Sequence, residues 1–294
     1  MNFVKYILEN DLGSIETNYS FKELTTIGTG GRIRFLYSPN SVDSLCKAFK
    51  FINDNDLKYF ILGNGSNILA SDDFFDGIVI NTKTLPTYLD IYEDYISVSA
   101  SYPTTKLAYD LAKLELGDLS FLGGIPGLLG GAIFNNSGAY GSEIKDVIID
   151  VTYINKAGKL VTIERKEIGF NYRDSIFHGY KCIIASARIK VNKIKTFDRL
   201  EERLKKRKQS QPHEYKNMGS IFRNTPLIES WKVIDFLNLR GFTINGAKIS
   251  EKHTNFIINY NNAKSSDVLT LIELIKKRAK LELGINLKTE ITII

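Results

Sequence analysis

Two short stretches of this 294-residue chain have the residue types of a ligand cradle. The first is LGNGSN, made of Leu62, Gly63, Asn64, Gly65, Ser66 and Asn67. It follows a strand-like run, and its small residues leave consecutive backbone N–H groups exposed. A nest of such donors suits a phosphate or pyrophosphate. The stretch matches neither GxGxxG nor GxxxxGKS/T, because it has no third glycine and no lysine at the P-loop position. Alone, it reads equally as an anion site or as a structural turn.

The second stretch is GGIPGLLGGAIFNNSGAYG, from Gly123 to Gly141. Counting from Gly117 there are eight glycines in twenty-five positions, an entropic cost too large for an ordinary helix or core segment. Tight turns fall at Gly123, Gly124 and Gly127, and a close-packed small-residue run at Gly130, Gly131 and Ala132. The amides of Asn135 and Asn136 can hydrogen-bond a polar heterocycle. Taken together, the two clusters point to one extended cofactor with a diphosphate and a planar ring, shared between two lobes.

The elements that must hold these stretches follow from periodicity. RIRFLYSP reads as a strand, SVDSLCKAFKFINDND as an amphipathic helix, KYFILGNGSNILASD as a strand entering the first glycine turn, and GIVIN as a strand. YISVSASYPTTKLAYDLAKLEL reads as a strand and then a helix leading to the second cluster. VIIDVTYINKAGKLVTIE has the form of a hairpin and KCIIASARIKV of a strand. Further on come a helix in IESWKVIDFLNL, a strand in TNFIINY, a long helix in SSDVLTLIELIKKRAKLELG and an alternating terminal strand in INLKTEITII.

Composition narrows the function classes. The net charge of +6 arises from 39 Lys and Arg against 33 Asp and Glu, an excess as compatible with an anionic small ligand as with nucleic acid. The most basic run, Lys190 to Lys208, interleaves acids with the apolar Ile194, Phe197, Leu200 and Leu204 and offers no set of aromatics for base stacking, so it reads as a solvated linking helix and no nucleic-acid partner is expected. Cys46 and Cys182 form no CxxC pair, and His178, His213 and His253 are isolated, so no metal site is expected; His253 reads as a strand-edge residue near substrate. No apolar run reaches the roughly 20 residues of a membrane span, and acidic residues come early. No membrane partner and a cytoplasmic location are therefore expected.

The motifs TTIGTGG (25–31), LGNGSNILASD (62–72), FLGGIPGLLGGAIFNNSGAYG (121–141), YRDSIF (172–177), GSIFRN (219–224), GAKISEKHTNFIIN (246–259) and GINLKTE (284–290) occur in one order along nearly the whole chain. In this order they resemble the UDP-N-acetylenolpyruvoylglucosamine reductases, in the family's shorter form. The resemblance implies an α+β three-domain flavoprotein. Two FAD-binding domains of the vanillyl-alcohol-oxidase type would span 1–82 and 83–195 with 285–294, and a UDP-sugar domain 196–284. It implies FAD as cofactor, NADPH as reducing cosubstrate and UDP-N-acetylenolpyruvoylglucosamine as substrate. It adds Ile125, Pro126, Gly138 and Ala139 to the cofactor residues of the two glycine stretches.

Reducing an enol ether requires a hydride at one carbon and a proton at its neighbour, with positive charge or an acid near the adjoining carboxylate. By correspondence with the family, Ser220 is the candidate proton donor, Arg173 presents its guanidinium to the enolpyruvyl carboxylate or to the oxygen where charge develops, and Glu290 acts with it as a polarising or protonating partner. Tyr172, Arg223, Asn224 and Lys252 are assigned to the UDP-sugar. Two other readings compete: a carbohydrate or alcohol oxidase on the same fold, and a non-catalytic nucleotide-binding module.

Overall fold

The hairpin expected in VIIDVTYINKAGKLVTIE forms from Ile148–Asn155 and Leu160–Glu164. Its turn is closed by the Asn155 side chain, which accepts from the amides of Ala157 (3.0 Å) and Lys159 (3.1 Å), and by Gly158 at φ +71°. In the computed structural model, which describes residues 2–294, this hairpin edges a fully antiparallel sheet. The order is Leu160–Glu164, Ile148–Asn155, Cys182–Lys190, Tyr95–Ser99 and Leu89–Ile91. The strand and helix expected in 95–116 are Tyr95–Ser99 and Thr104–Lys113.

The chain divides into two compact units, one made of 1–17, 35–63 and 76–205, the other of 18–34, 64–75 and 206–294. The first unit holds two cores. One gathers Ile96, Val98, Leu107, Leu111, Ile133 and Val151 around the five-stranded sheet; the other gathers Phe3, Ile7, Tyr37, Leu45, Phe49 and Ile80. The second of these cores is built by the helix Val42–Asp54. Ser41 caps it through Ser44 N (3.0 Å), and its buried Leu45, Ala48, Phe49 and Ile52 recur at helical spacing. A short helix at Phe3–Glu9, capped by Asn2, also contributes to it, an element that the sequence reading leaves unassigned.

The basic run is a helix only from Phe197 to Ser210. Before it, residues 192–194 pair with 115–117 instead: Gly117 N donates to Asn192 O (2.8 Å) and Ile194 N to Glu115 O (2.8 Å). Leu200 is fully buried in the first unit's larger core, with Leu204 packed against that core.

The second unit is organised on a four-stranded antiparallel sheet, Lys216–Ser220, Phe256–Asn259, Ala247–Ile249 and Thr243–Ile244. The long helix Ser265–Leu283 buries Val268, Leu271, Ile272, Ile275 and Ala279. It ends at Gly284, whose φ of +69° closes it with the Ile285 amide on Ala279 O (3.1 Å).

The terminal stretch INLKTEITII differs from the expected strand. Only Thr292–Ile293 form a ladder, parallel to Ile68–Leu69. Upstream, Phe222 and Thr289 form an isolated bridge, and the amides of Arg223 and Glu290 bond Lys288 O and Ile221 O. The alternation is real, but successive residues serve different partners, so no continuous strand results. The tail 285–294 lies in the second unit, with 64–75 and 206–284, whereas the sequence reading groups it with 83–195.

Candidate active site

The strand Tyr59–Leu62 runs parallel to Phe75–Asn81, with buried Leu62 at its end, and delivers the chain into the first glycine turn. Gly65 has φ +64°, and a Cβ there would stand 2.1 Å from Leu24 O, so only glycine fits. Among the described residues no protein group accepts a hydrogen bond from the amides of Asn64, Gly65 and Ser66. Three successive open donors fit the pyrophosphate of a dinucleotide. Of the two readings this turn allows, the anion cradle is the one that its free amides favour.

In the first unit the second stretch opens with the short turn Ser120–Leu122, followed by Gly123 and by Gly124 at φ +73°. The Gly124 amide donates to Thr105 Oγ1 (3.2 Å) and the Ile125 amide to Leu122 O (3.0 Å), so Gly123 to Pro126 form a pinned loop. The glycines beyond separate into two kinds. A Cβ on Gly130 would press on Ala100 Cβ at 3.1 Å, and one on Gly138 would meet Ser142 O at 2.4 Å, so both serve the protein's own packing. A Cβ on Gly131 would meet nothing within 4 Å. Gly131 is therefore the open face of the helix Leu129–Phe134, with Ala132 buried behind it. Gly138 and Ala139 pair with Glu143 and Ser142 in a small hairpin.

Of the two adjacent amides, Asn135 reaches back to Gly131 O (3.2 Å). Asn136 departs from the expectation that it would face a heterocycle. It is fully buried at φ +42°; its Nδ2 donates to Glu143 Oε2 (3.0 Å) and Asn171 O (2.9 Å), and its Oδ1 accepts from Lys145 N (3.0 Å). Its polar groups are committed to the loop itself.

Arg173 shares that loop. Its guanidinium donates to Gly138 O (2.7 Å), Asn136 O (3.4 Å) and Glu143 Oε1 (3.3 Å), and it lies 4.8 Å from the centroid of the Tyr172 ring. Arg173 also has φ +55°, an unfavourable conformation for a long side chain that the surrounding bonds hold in place. Tyr172 is exposed beside it.

In the second unit Ser220 ends the strand Lys216–Ser220 at a β-bulge. Asn217 faces Ile258 and Ser220 faces Phe256, so three steps on one strand oppose two on the other. Gly219, at φ +80° with open space where a Cβ would be, supplies the left-handed residue of the bulge. The Ser220 hydroxyl has no protein hydrogen-bond partner among the described residues. The Glu290 amide bonds Ile221 O at 2.8 Å, and Asn67 Nδ2 donates to Glu290 O at 3.2 Å. Thus the second unit brings together the first glycine turn, the candidate proton donor and the C-terminal carboxyl-bearing residue.

The residues assigned to the UDP-sugar are placed differently. Arg223 Nε is buried without a hydrogen-bond partner, as a group awaiting a ligand would be. Asn224 Oδ1 instead accepts from Ser230 N (3.0 Å) at the start of the helix Ser230–Phe236, and Lys252 Nζ donates to Lys208 O (2.7 Å). His253 precedes the strand Phe256–Asn259 and is not part of it. Its ring packs against Phe256 and Trp231, and burial pushes its imidazole below the usual range. Sequence reasoning names the loop 25–31 as a motif without assigning its residues. In the second unit Thr26 bonds both Gly65 and Asn217, a link between residues too distant in sequence for local pattern to show.

Comparison with known proteins places the chain in a family. Residues 211–294 match the family described as UDP-N-acetylenolpyruvoylglucosamine reductase, C-terminal domain, and residues 33–164 match the FAD binding domain family. The UDP-N-acetylenolpyruvoylglucosamine reductase of Syntrophomonas wolfei is 35% identical over 283 residues, 95% of each chain. That of Thermotoga sp. (strain RQ2) is 38% identical over 274 residues, 92% of this chain and 90% of the relative. The crystal structure of the Thermus caldophilus UDP-N-acetylenolpyruvylglucosamine reductase superposes with a TM-score of 0.80 at 28% identity, over 96% of this chain and 99% of that one. The fold is that of the FAD-binding vanillyl-alcohol-oxidase type with an added substrate domain. With relatives aligned along nearly its whole length, this chain belongs to the UDP-N-acetylenolpyruvoylglucosamine reductase family.

Proposed function

We propose that the chain reduces the enolpyruvyl ether of UDP-N-acetylenolpyruvoylglucosamine to UDP-N-acetylmuramate, with NADPH as the reductant. FAD, when bound, supplies the hydride chemistry that joins the two. The open amides of Asn64 to Ser66, the bare face at Gly131 and the two glycine stretches support its binding to this chain.

The observation that carries the proposal is the junction of Ser220, Glu290 and Asn67 in the second unit. Hydride addition to one carbon of the enol ether places negative charge toward the carboxylate, giving an enolate-like species. The Ser220 hydroxyl, with no protein acceptor, then gives its proton to the neighbouring carbon, and a proton from solvent restores it. Glu290 acts with Arg173 to polarise the substrate at the same centre. Arg173 offers the planar cation that a carboxylate accepts in bidentate fashion. Arg223, with its buried unpartnered Nε, is the strongest of the residues assigned to the sugar nucleotide, and Tyr172, Asn224 and Lys252 complete that set.

The described helices include none long and apolar enough to cross a membrane. The proposal includes a cytoplasmic setting, where nucleotide-sugar substrates and NADPH are available.

The test is a two-step optical experiment on the purified holoprotein. NADPH should bleach the flavin absorbance, and the enolpyruvyl UDP-sugar, added without oxygen, should restore it with formation of the lactyl ether. Restoration by oxygen alone, with no effect of the sugar nucleotide, would instead support the oxidase reading.

A further inference from the structure

We infer that Thr26 is a positioning residue for the reduction, fastening the glycine turn at Gly65 to the strand that carries Ser220. The inference rests on the function proposed above. Thr26 lies in the loop 25–31 of the second unit, and its two donors point to two different elements. Its amide donates to Gly65 O at 3.0 Å, and its hydroxyl donates to Asn217 O at 2.6 Å while standing 3.4 Å from Gly65 O.

Asn217 is the residue at which the bulge before Ser220 begins. Its own side chain extends the connection, because Oδ1 accepts from the Gly219 amide at 3.0 Å. Nδ2 meanwhile donates to Tyr215 O (2.9 Å) and Pro212 O (3.2 Å), which fixes the amide's orientation. Gly219 has φ +80° and is followed directly by Ser220. A continuous run of hydrogen bonds and peptides therefore leads from the Gly65 carbonyl through Thr26 and Asn217 to the peptide that aims the Ser220 hydroxyl.

The same loop grips the neighbouring strand. Asn259 Nδ2 donates to Ile27 O at 3.0 Å, and a Cβ on Gly28 would press on the Lys216 side chain at 2.9 Å. Loop 25–31 thus holds both Lys216–Ser220 and Phe256–Asn259 against the turn whose amides are open. Proton transfer depends on placement: a displacement on the order of 1 Å can cost about a hundredfold in rate. A bulge is the part of a strand least constrained by its ladder. The hydroxyl of Thr26 supplies the constraint that the ladder omits.

Thr26→Val keeps the shape and removes the hydroxyl, and Thr26→Ser returns it. In FAD-loaded Thr26→Val, flavin reoxidation by the enolpyruvyl UDP-sugar at saturating concentration should slow by about tenfold or more, with reduction by NADPH within about twofold of the parent. Thr26→Ser should recover most of the loss. A second readout needs no turnover: amide hydrogen exchange across 216–221 in the resting holoprotein should accelerate in Thr26→Val and not in Thr26→Ser. Wild-type reoxidation in Thr26→Val, or equal slowing of both half-reactions, would overturn the inference. Should Thr26→Val fail to retain FAD, Asn217→Ala removes the support of Gly219 from the far side and must show the same split between half-reactions. If the parent itself is not reoxidised by the sugar nucleotide, the functional proposal fails, and the exchange measurement decides the role of Thr26 separately.

Discussion

The amide of Glu290 donates to the carbonyl of Ile221 at 2.8 Å, one peptide beyond Ser220. Two flanking contacts fix the same register: Arg223 N on Lys288 O at 2.9 Å, and the bridge between Phe222 and Thr289. The register of the Ser220 strand against the Glu290 segment is therefore set by main chain. Replacing either side chain removes chemistry without removing the junction, which makes conservative substitutions informative here.

Ser220→Ala should leave reduction of the flavin by NADPH near the parental rate, since that step needs no proton donor from this strand. Reoxidation by the enolpyruvyl substrate should slow by about a hundredfold or more. The Ser220 hydroxyl bonds no described residue, so stability should change by less than about 0.5 kcal/mol. Stopped-flow traces of the two half-reactions decide the matter; parallel slowing of both would remove Ser220 from proton transfer.

Gly65 and Gly131 give a matched pair for the cofactor cradle. Gly65→Ala forces a Cβ to within 2.1 Å of Leu24 O at φ +64°, so it should destabilise the protein by about 1 kcal/mol or more even without FAD. Gly131→Ala meets nothing in the protein and sits in a helix, so the apoprotein should gain about 0.5–1 kcal/mol. Its affinity for FAD should nevertheless fall. Thermal melts of apoprotein and FAD titrations test both halves, and unchanged FAD affinity in Gly131→Ala would clear that face of any cofactor contact.

Why those two glycines differ cannot be read from their letters. Gly130 and Gly131 are adjacent and alike in sequence, yet one packs on Ala100 and the other faces open space. Local periodicity was enough for the helix Val42–Asp54 and the hairpin 148–164, because each is decided by neighbours a few residues away. It fell short wherever a partner is distant. Thr26 meets Asn217, and INLKTEITII exchanges partners along its length, so its alternation does not give a strand. Asn136 carried a ligand-binding residue type, but left-handed backbone and burial turned its amide inward.

The helix Ser265–Leu283 begins on a carboxylate from another part of the second unit: Asp72 accepts from Ser265 N at 2.9 Å and Ser266 N at 3.0 Å. Partial burial pushes the Asp72 carboxyl up, but hydrogen bonding led by the Ser265 and Ser266 amides outweighs it and holds the group below the usual carboxylate range. A group lowered in this way stabilises the fold fully above its unfolded pKa of about 4 and loses that contribution as pH falls through its lower folded value. Asp72→Asn should melt lower than the parent at neutral pH, by the equivalent of about 1 kcal/mol. The difference should close as pH falls below about 4. A gap that stays constant down to about pH 3 would show that the carboxylate charge contributes nothing.

Glu290 and Arg173 separate polarisation of the substrate from support of the cofactor loop. Glu290→Gln keeps the main-chain junction with Ile221, so flavin content and melting temperature should stay near parental values. Reoxidation at saturating substrate should fall by about a hundredfold, the scale of one lost transition-state contact. Arg173→Lys should do something different. A single ammonium cannot reproduce the reach of the guanidinium to Gly138 O, Asn136 O and Glu143, so the 136–143 loop should loosen as the bidentate fork is lost. Slower reoxidation should therefore come with weaker FAD binding in Arg173→Lys, and without it in Glu290→Gln. FAD titration followed by stopped-flow reoxidation of each fully loaded variant tests the distinction. Native reoxidation in Glu290→Gln would make that carboxyl a bystander, and unchanged FAD affinity in Arg173→Lys would mean that the loop does not depend on the guanidinium.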